Sequence, residues 1–147
     1  MDDQAKPSAV VPPPTRLRVL VAEDNIVNQK IIAALLARRG QDTVLVSNGR
    51  DAIDAWRRER FDAIFMDVQM PEMDGFEATA AIRAAERGTD THISIVAMTA
   101  HAMSGDRERC LAAGMDDYVA KPISVMEIDR VLVQVAQSCR ISSPNAA

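Results

Sequence analysis

The chain has 147 residues, 48% of them hydrophobic, and a formal net charge of −4 at pH 7. This length suits one well-buried core, so we expect a single domain. The acidic balance argues against nucleic acid as a partner, and no apolar run approaches the roughly 18 residues of a membrane span, so we expect a cytoplasmic protein without direct membrane contact.

Both ends of the chain are predicted to lie outside the domain. Residues 1–16 show no periodicity and contain consecutive prolines at 12–14, which favour an extended polyproline segment. We expect a flexible Pro-rich linker or tail over 1–16, a folded domain over 17–138 and a flexible C-terminal tail over 139–147. No output domain is expected after residue 137.

Between these ends, short β-rich runs alternate with longer segments of helical period. The runs are RVLVA (18–22), DTVLV (42–46), AIFM (63–66), ISIVAM (93–98) and DYVA (117–120). Strands that are apolar throughout and separated by helices predict a parallel sheet covered on both faces, with right-handed crossovers. The predicted fold class is therefore α/β, a single doubly wound (βα)5 domain.

Each helical segment has an apolar stripe that can face this sheet. Apolar residues at i, i+3, i+4 and i+7 of the last segment are typical of an amphipathic helix, and they are Ile128, Val131, Leu132 and Val135. The stripes of the first four segments are Ile32, Leu35 and Leu36; Ala52, Ile53 and Trp56; Phe76, Ala80 and Ile82; and Cys110 and Leu111. Gly40 and Gly114 are placed as C-terminal glycines of two helices.

Polar side chains follow four of the predicted strands. Glu23 and Asp24 come after the first strand, Asp67 after the third, Thr99 after the fourth and Lys121 after the fifth. Taken singly, each has an ordinary explanation as a cap, a turn residue or a solvated lysine. Ligands of doubly wound sheets bind outside the carboxyl ends of the strands, so the coincidence of all five at one edge predicts a functional site there.

The three carboxylates of this cluster repel one another. Their own motifs contain no arginine or histidine, so we expect a hard cation among them, with Mg²⁺ preferred and Mn²⁺ as the alternative. A Mg²⁺ site favours phosphate oxygens and prepares one carboxylate to meet a phosphoryl group, and Asp67 is the predicted acceptor. The metal, Lys121 and Thr99 would neutralise and hydrogen-bond the phosphoryl oxygens.

These residues carry a family resemblance. The acidic pair in AEDN, the acceptor in MDVQMPEMDG, the hydroxyl in MTAH and the lysine in YVAKPI occur in the order found in response-regulator receiver domains. The resemblance covers about 18–137 and is closest to receivers of hybrid histidine kinases. It implies a flavodoxin-like sheet of strand order 2-1-3-4-5.

The resemblance also implies a function in phosphorelay signalling. Asp67 would accept a phosphoryl group from a phosphohistidine of a histidine kinase or histidine phosphotransfer protein. Glu23, Asp24, Asp67 and the backbone carbonyl of Gln69 would bind Mg²⁺, and Lys121 would pair with Asp67 before transfer and with the phosphoryl group afterwards.

Several finer features follow from the same resemblance. The bond between Lys121 and Pro122 is expected to be cis, and Thr99 is expected to move toward the phosphoryl group. Tyr118 holds the family's aromatic switch position, although a half-buried strand tyrosine is an equally good explanation. Gln69 and His101 occupy positions that modulate loss of the phosphoryl group in the family, and a plain surface histidine is the alternative for His101.

A docking surface for the donor is predicted from apolar residues that the core does not require. Val27 and Ile31 are spaced i, i+4 beside the acidic pair, and Pro122 and Ile123 follow the lysine at the same edge. We expect these four residues to form an exposed apolar patch around Asp67. The alternative for Ile31 is the edge of a wide core stripe.

Three other functions are compatible with parts of the pattern. A slow Mg²⁺-dependent phosphohydrolase would proceed through an aspartyl phosphate, but such enzymes usually have a second acid at the position of Gln69. A pseudo-receiver that only docks partners would not need the intact site. A flavodoxin-like cofactor protein would not begin its phosphate loop with Glu23 and Asp24, which repel phosphate. We therefore expect no enzyme beyond self-phosphorylation and slow autodephosphorylation.

Overall fold

The computed structural model describes residues 16–100 and 105–142, with side chains through residue 138. Strands and helices alternate along the described chain. The strands are β1 (Arg18–Ala22), β2 (Asp42–Val46), β3 (Ala63–Asp67), β4 (Ser94–Thr99) and β5 (Asp117–Ala120). The helices are α1 (Ile26–Arg38), α2 (Gly49–Arg58), α3 (Gly75–Glu86), α4 (Asp106–Ala112) and α5 (Val125–Ser142).

The strands form one parallel sheet in the order β2-β1-β3-β4-β5. The predicted (βα)5 fold and its strand order are thereby confirmed. Strand order reverses between β1 and β3, so the carboxyl ends of these two strands border the crevice in which such sheets bind ligands.

The core has two parts, one on each face of the sheet. Val19 and Val21 of β1 pack in a cluster with residues of α1 and α5, whereas Leu20 and Ala22 pack with residues of α2, α3 and α4. This alternation explains why β1 is apolar throughout, since successive side chains point to opposite faces and both faces are covered.

The helix starts follow ordinary capping chemistry. The side chains of Asn25, Asn48 and Asp74 accept hydrogen bonds from backbone amides in the first turns of α1, α2 and α3, respectively. Asp74 and Glu77 form a reciprocal capping box, which fixes the start of α3 directly after the loop that follows Asp67. The start of α3 thus fixes where the β3–α3 loop ends.

Most predicted stripe residues are buried, three are half-buried (Leu35, Trp56 and Phe76) and two are exposed. Ala80 is exposed, because Ala78, Thr79 and Ile82 form the face of α3 that packs inward. Leu111 is 44% exposed, because α4 directs Cys110 toward the core instead. The prediction that Ala80 and Leu111 contribute to the core was therefore wrong.

Two strand ends differ from the prediction. β3 ends one residue later than predicted, and β4 begins and ends one residue later, so that Asp67 and Thr99 are the last residues of their strands. α5 extends to Ser142. The first proline after the start of α5 is Pro144, so the sequence contains no strong helix breaker before that point. Residues 1–15 and 143–147 lie outside the described part of the chain.

None of the described helices is long and apolar enough to cross a membrane. This finding agrees with the lack of a long apolar run in the sequence.

Gly75 lies in tight contact with the backbone of the predicted acceptor. A Cβ atom at Gly75 would stand 2.3 Å from the carbonyl oxygen of Asp67 and 3.0 Å from its carbonyl carbon. The Gly75 amide also donates a hydrogen bond to the carbonyl of Val68 at 3.2 Å. The start of α3 can therefore approach the end of β3 only because residue 75 has no side chain.

We expect Gly75→Ala to lower the free energy of unfolding by about 2 kcal/mol, because the added methyl group clashes with the backbone of Asp67, which is less free to move than a side chain. It should also slow the Mg²⁺-dependent phosphorylation by acetyl phosphate that the sequence predicts at Asp67, since Asp67 moves with its carbonyl. Gly88→Ala is the control. Gly88 has a φ of +82° but open space around its Cβ, so the substitution should reduce stability through backbone strain alone. Equal phosphorylation rates in the two variants would contradict the prediction.

Candidate functional site

An open cleft of about 780 Å³ lies at the carboxyl ends of the strands. Glu23 and Asp24 follow β1, Asp67 ends β3, Gln69 belongs to the loop after β3, and Lys121 follows β5; all five line the cleft. The structure thus brings together the predicted acceptor, the acidic pair and the lysine from three different strands.

Lys121 occupies the centre of this cluster. Its Nζ donates a hydrogen bond to Asp67 Oδ2 at 2.8 Å and forms an ion pair with Glu23 Oε1, also at 2.8 Å. The Glu23 oxygen in this ion pair is buried. The Lys121 backbone amide donates a hydrogen bond to the carbonyl of Thr99 at 2.8 Å. The end of β4 therefore fixes the position of the Lys121 backbone.

The remaining carboxylate oxygens have backbone partners. The Gln69 amide donates to Asp67 Oδ1 at 3.1 Å, and the Asn25 amide donates to Glu23 Oε2 at 2.9 Å. Glu23 is fully buried, Asp67 is 3% exposed, and Asp24 is exposed. Glu23 and Asp67 are therefore held rigidly, whereas Asp24 faces solvent at the mouth of the cleft.

Burial and charge act in opposite directions on these groups. Burial raises the pKa of Asp67 to about 6, and the Glu23 carboxylate adds to the rise, although Lys121 and the Gln69 amide oppose it. Burial would also raise the pKa of Glu23, but Lys121 and the Asn25 amide outweigh it and hold that pKa below its ordinary value. Burial would lower the pKa of Lys121, yet the hydrogen bonds and charges of Asp67 and Glu23 raise it overall.

A positive side chain lies among the carboxylates. Reasoning from the acidic motifs alone predicted a metal ion there, and the family resemblance implied that Lys121 pairs with Asp67. In the structure, the Lys121 ammonium pairs with Asp67, as the resemblance implied, and also with Glu23. The contact with Glu23 was not predicted, because Lys121 follows the fifth strand and Glu23 follows the first.

The site nevertheless fits a divalent cation. Glu23, Asp24 and Asp67 each offer a carboxylate oxygen within 4.8 Å of the others. Three carboxylates and one ammonium leave a formal charge of −3 + 1 = −2. An all-oxygen donor set with two uncompensated charges, open to water on one side, suits Mg²⁺ or Mn²⁺.

Thr99 and Tyr118 do not line the cleft that contains Asp67. Thr99 is buried, and its hydroxyl donates to Asp106 Oδ2 at 3.1 Å. Tyr118 is half-buried on β5 and packs against the part of the core covered by α2, α3 and α4. The Lys121–Pro122 peptide bond is cis, as the resemblance implied. His101 lies outside the described residues.

Two residues that hold the site were missed by the sequence interpretation. Gln29 of α1 is buried, and its Nε2 donates to the carbonyls of Glu23 at 2.5 Å and Val46 at 3.3 Å. It stands three positions before Ile32 on the core-facing side of α1, and a polar residue in that stripe was a usable signal. Asp106, the partner of Thr99, had no comparable signal, because acids are common in the first turn of a helix.

The predicted apolar patch is only partly exposed. Val27 is 59% exposed and Ile31 44% exposed, so Ile31 is not part of the core. Pro122 is also exposed. Ile123 is only 9% exposed and packs in the cluster shared with α1 and α5, so the expectation that it belongs to an exposed patch was wrong. Ile26, which was not predicted, is 62% exposed beside Val27.

Comparison with known proteins identifies the class to which this fold and site belong. Residues 19–133 match the model of the response regulator receiver domain, and the chain belongs to that family. It is 49% identical over 112 residues to hybrid signal transduction histidine kinase I of Dictyostelium discoideum, covering 73% of the chain and 6% of that relative. It is 45% identical over 119 residues to sensor protein GacS of Pseudomonas syringae pv. syringae, and this match covers 80% of the chain and 13% of that relative. The chain therefore spans only a small fraction of these relatives.

Two solved structures are similar in fold and sequence. The first is the receiver domain of sensor histidine kinase PA1611 from Pseudomonas aeruginosa PAO1, with a magnesium ion coordinated in its active site cleft. Its TM-score is 0.74 at 42% identity, covering 83% of this chain and 99% of that one. The second is the receiver domain of Ssk1 from Saccharomyces cerevisiae in complex with the histidine phosphotransfer protein Ypd1. Its TM-score is 0.78 at 30% identity, and the match covers 86% of this chain and 92% of that one.

We expect the Asp67 carboxyl to titrate with a midpoint near pH 6 in metal-free protein, measured by carbon NMR of the side-chain carboxyls. Added Mg²⁺ should lower this midpoint, because a bound cation favours the ionised form. Lys121→Met should raise it, because the opposing ammonium is lost.

Lys30→Met is the control for that titration, since Lys30 is an exposed lysine of α1 outside the cleft. It should leave the Asp67 midpoint unchanged. A wild-type midpoint near the ordinary aspartate value of about 4 would contradict the role of burial.

Proposed function

We propose that this chain is a phosphoacceptor receiver domain in which Asp67 takes a phosphoryl group from a partner phosphohistidine, in a Mg²⁺-dependent step of a phosphorelay. The observation that carries the proposal is the position of Lys121 between Glu23 and Asp67, in a cleft where Asp24 adds a third carboxylate. Family membership and the magnesium-bound receiver of Pseudomonas aeruginosa support it.

The reaction needs positioning more than bond chemistry from the protein. A carboxylate oxygen of Asp67 attacks the phosphorus of the phosphohistidine, and a P–O bond forms as the P–N bond breaks. The imidazole nitrogen leaves with the bonding electron pair and takes up a proton as needed. The Gln69 amide and Lys121 hold the two oxygens of Asp67, so the nucleophile is oriented before the donor arrives.

Glu23, Asp24, Asp67 and the backbone carbonyl of Gln69 would hold the metal ion. When bound, Mg²⁺ would neutralise the uncompensated charge of the acids and the charge of the incoming phosphoryl oxygens. Lys121 is placed to pair with the transferred group, because its ammonium already contacts Asp67 Oδ2 at 2.8 Å. Thr99 would supply a hydroxyl donor to a phosphoryl oxygen, and Tyr118 would change its packing in response.

The rival functions have less support. Gln69 stands where a phosphohydrolase of this kind would have its second acid, and it holds Asp67 through a backbone amide instead of a carboxyl group. The chain therefore acts as a signalling domain that is phosphorylated, with only slow autodephosphorylation. The retained acids, lysine and threonine would serve no purpose in a module that only docks partners.

The direct test is mass spectrometry after incubation with acetyl phosphate. Wild-type protein should gain one phosphoryl group only when Mg²⁺ is present, and Asp67→Asn should abolish the gain because the amide is not a nucleophile. Asp54→Asn is the matched control, since Asp54 is an exposed aspartate of α2 outside the cleft. If Asp67→Asn still labelled at the wild-type rate, the acceptor would lie elsewhere.

The docking surface is the second part of the proposal. Val27 and Ile31 of α1, extended by Ile26, present apolar side chains next to the acceptor cleft, and Pro122 is exposed beyond Lys121. A helical donor that covers this surface would bring its histidine to Asp67 with water excluded. The complex of the Ssk1 receiver with Ypd1 supports a histidine phosphotransfer protein, or a histidine kinase, as the partner.

Ile31→Ser should lower the rate of transfer from a histidine phosphotransfer protein by roughly tenfold, which corresponds to an anchor worth about 1.4 kcal/mol. Labelling by acetyl phosphate should stay nearly unchanged. Leu111→Ser is the matched control, because Leu111 is also 44% exposed but lies on α4. Similar losses from both donors would indicate a damaged fold, and no loss from either would place the docking surface elsewhere.

A further inference from the structure

The hydroxyl of Thr99 is already engaged by a carboxylate that belongs to α4. Thr99 ends β4 and is 2% exposed, and its Oγ1 donates to Asp106 Oδ2 at 3.1 Å. Asp106 is the first residue of α4 and is half-buried. A threonine hydroxyl carries one hydrogen, so a hydrogen bond donated to Asp106 is not available to another acceptor.

A second cleft, next to the one that contains Asp67, is lined by this pair. The cleft has a volume of about 270 Å³ and is lined by Thr99, Asp106 and Arg109, together with Val68, Gln69 and Asp74. The last three residues also line the cleft that contains Asp67. The β3–α3 loop thus separates two anionic sites, one at Asp67 and one at Asp106, and Thr99 lies between β3 and the start of α4.

We propose that Asp106 is a positioning residue that competes with the phosphoryl group on Asp67 for the hydroxyl of Thr99. This inference rests on the proposed function, because the competitor exists only after Asp67 is phosphorylated. The Asp106 carboxylate holds Thr99 in the unphosphorylated state. A phosphoryl group carries about −1.5 to −2 charges and three strong acceptor oxygens, so it can take the hydrogen bond away from Asp106.

The exchange has a structural consequence at α4. Near its start, α4 contacts its neighbours through the Thr99–Asp106 hydrogen bond and through the Arg109 guanidinium, which lies 5.0 Å from the ring centre of Phe76; the buried Cys110 follows in the next turn. Loss of the Thr99 bond removes one of the attachments between α4 and β4. The start of α4 is then the part of the domain whose position reports the state of Asp67.

Binding of beryllium fluoride, a mimic of the phosphoryl group, tests the competition in the presence of Mg²⁺. Asp106→Ala should raise the affinity about tenfold, since the hydroxyl no longer has to leave a carboxylate. Asp106→Asn should give a smaller increase, because its amide oxygen still accepts a hydrogen bond but carries no charge. Glu108→Gln is the control, since Glu108 is an acid of the same turn whose carboxylate caps the Gly105 amide instead.

A double-mutant cycle separates competition for the hydroxyl from simple charge repulsion. In a Thr99→Ala background, Asp106→Ala should have no effect on affinity, because there is no hydroxyl to release. The same tenfold increase with and without Thr99, or an equal increase in Glu108→Gln, would overturn the inference in favour of general electrostatics. Unchanged affinity in Asp106→Ala, with normal wild-type binding, would overturn it as well.

Failure of the proposed function would look different. Wild-type protein that bound no beryllium fluoride, or bound it equally well after Asp67→Asn, would contradict the acceptor assignment and this inference with it. Amide chemical shifts of α4 give a second readout that does not depend on a measurement of affinity. In metal-free protein, Asp106→Ala should shift the first turn of α4 in the same direction as beryllium fluoride shifts it in wild type, and opposite shifts would contradict the release of that turn.

Discussion

The ion pair that Lys121 makes with both Glu23 and Asp67 is the interaction on which the site depends. Without it, two buried carboxylates would face each other with no counter-charge, which is among the most costly arrangements in a protein interior. With it, one ammonium offsets one of the two buried charges, and Asp24 stays exposed at the mouth. The domain can therefore fold around its acids before a metal ion binds, while it keeps enough negative charge to attract one.

The sheet gives this interaction its precision. Lys121 follows the edge strand β5, Asp67 ends the central strand β3, and Glu23 follows β1, so the three side chains meet only if the parallel register is correct. The bond from the Lys121 amide to the Thr99 carbonyl continues the sheet by one residue beyond β5. Rigid elements buried on both faces hold Asp67, whereas α4 is shorter and less buried.

Much of this could be predicted from the sequence because its signals are local. The apolar runs and helical stripes predicted the fold, and the acids, threonine and lysine at the strand ends predicted one functional edge. The predictions that were wrong or missing concern packing between segments that are distant in the sequence. The exposure of Ala80 and Leu111, the burial of Ile123 and the pairing of Thr99 with Asp106 depend on which way a helix or turn rotates against its neighbours. A single sequence does not determine such rotations, because a helix whose buried face is shifted by one residue still shows the same apolar periodicity.

The long separation between Lys121 and Asp67 matters for the order in which the chain is made. The two residues are 54 positions apart, and β5 is the last strand to leave the ribosome. A nascent chain that has completed β4 holds Glu23, Asp24 and Asp67 without their ammonium, so the repulsion among these acids works against early closure of the sheet. Emergence of β5 adds the last strand and the counter-ion together. An incomplete chain therefore lacks the Lys121 contacts that hold Glu23 and Asp67 together in the cleft.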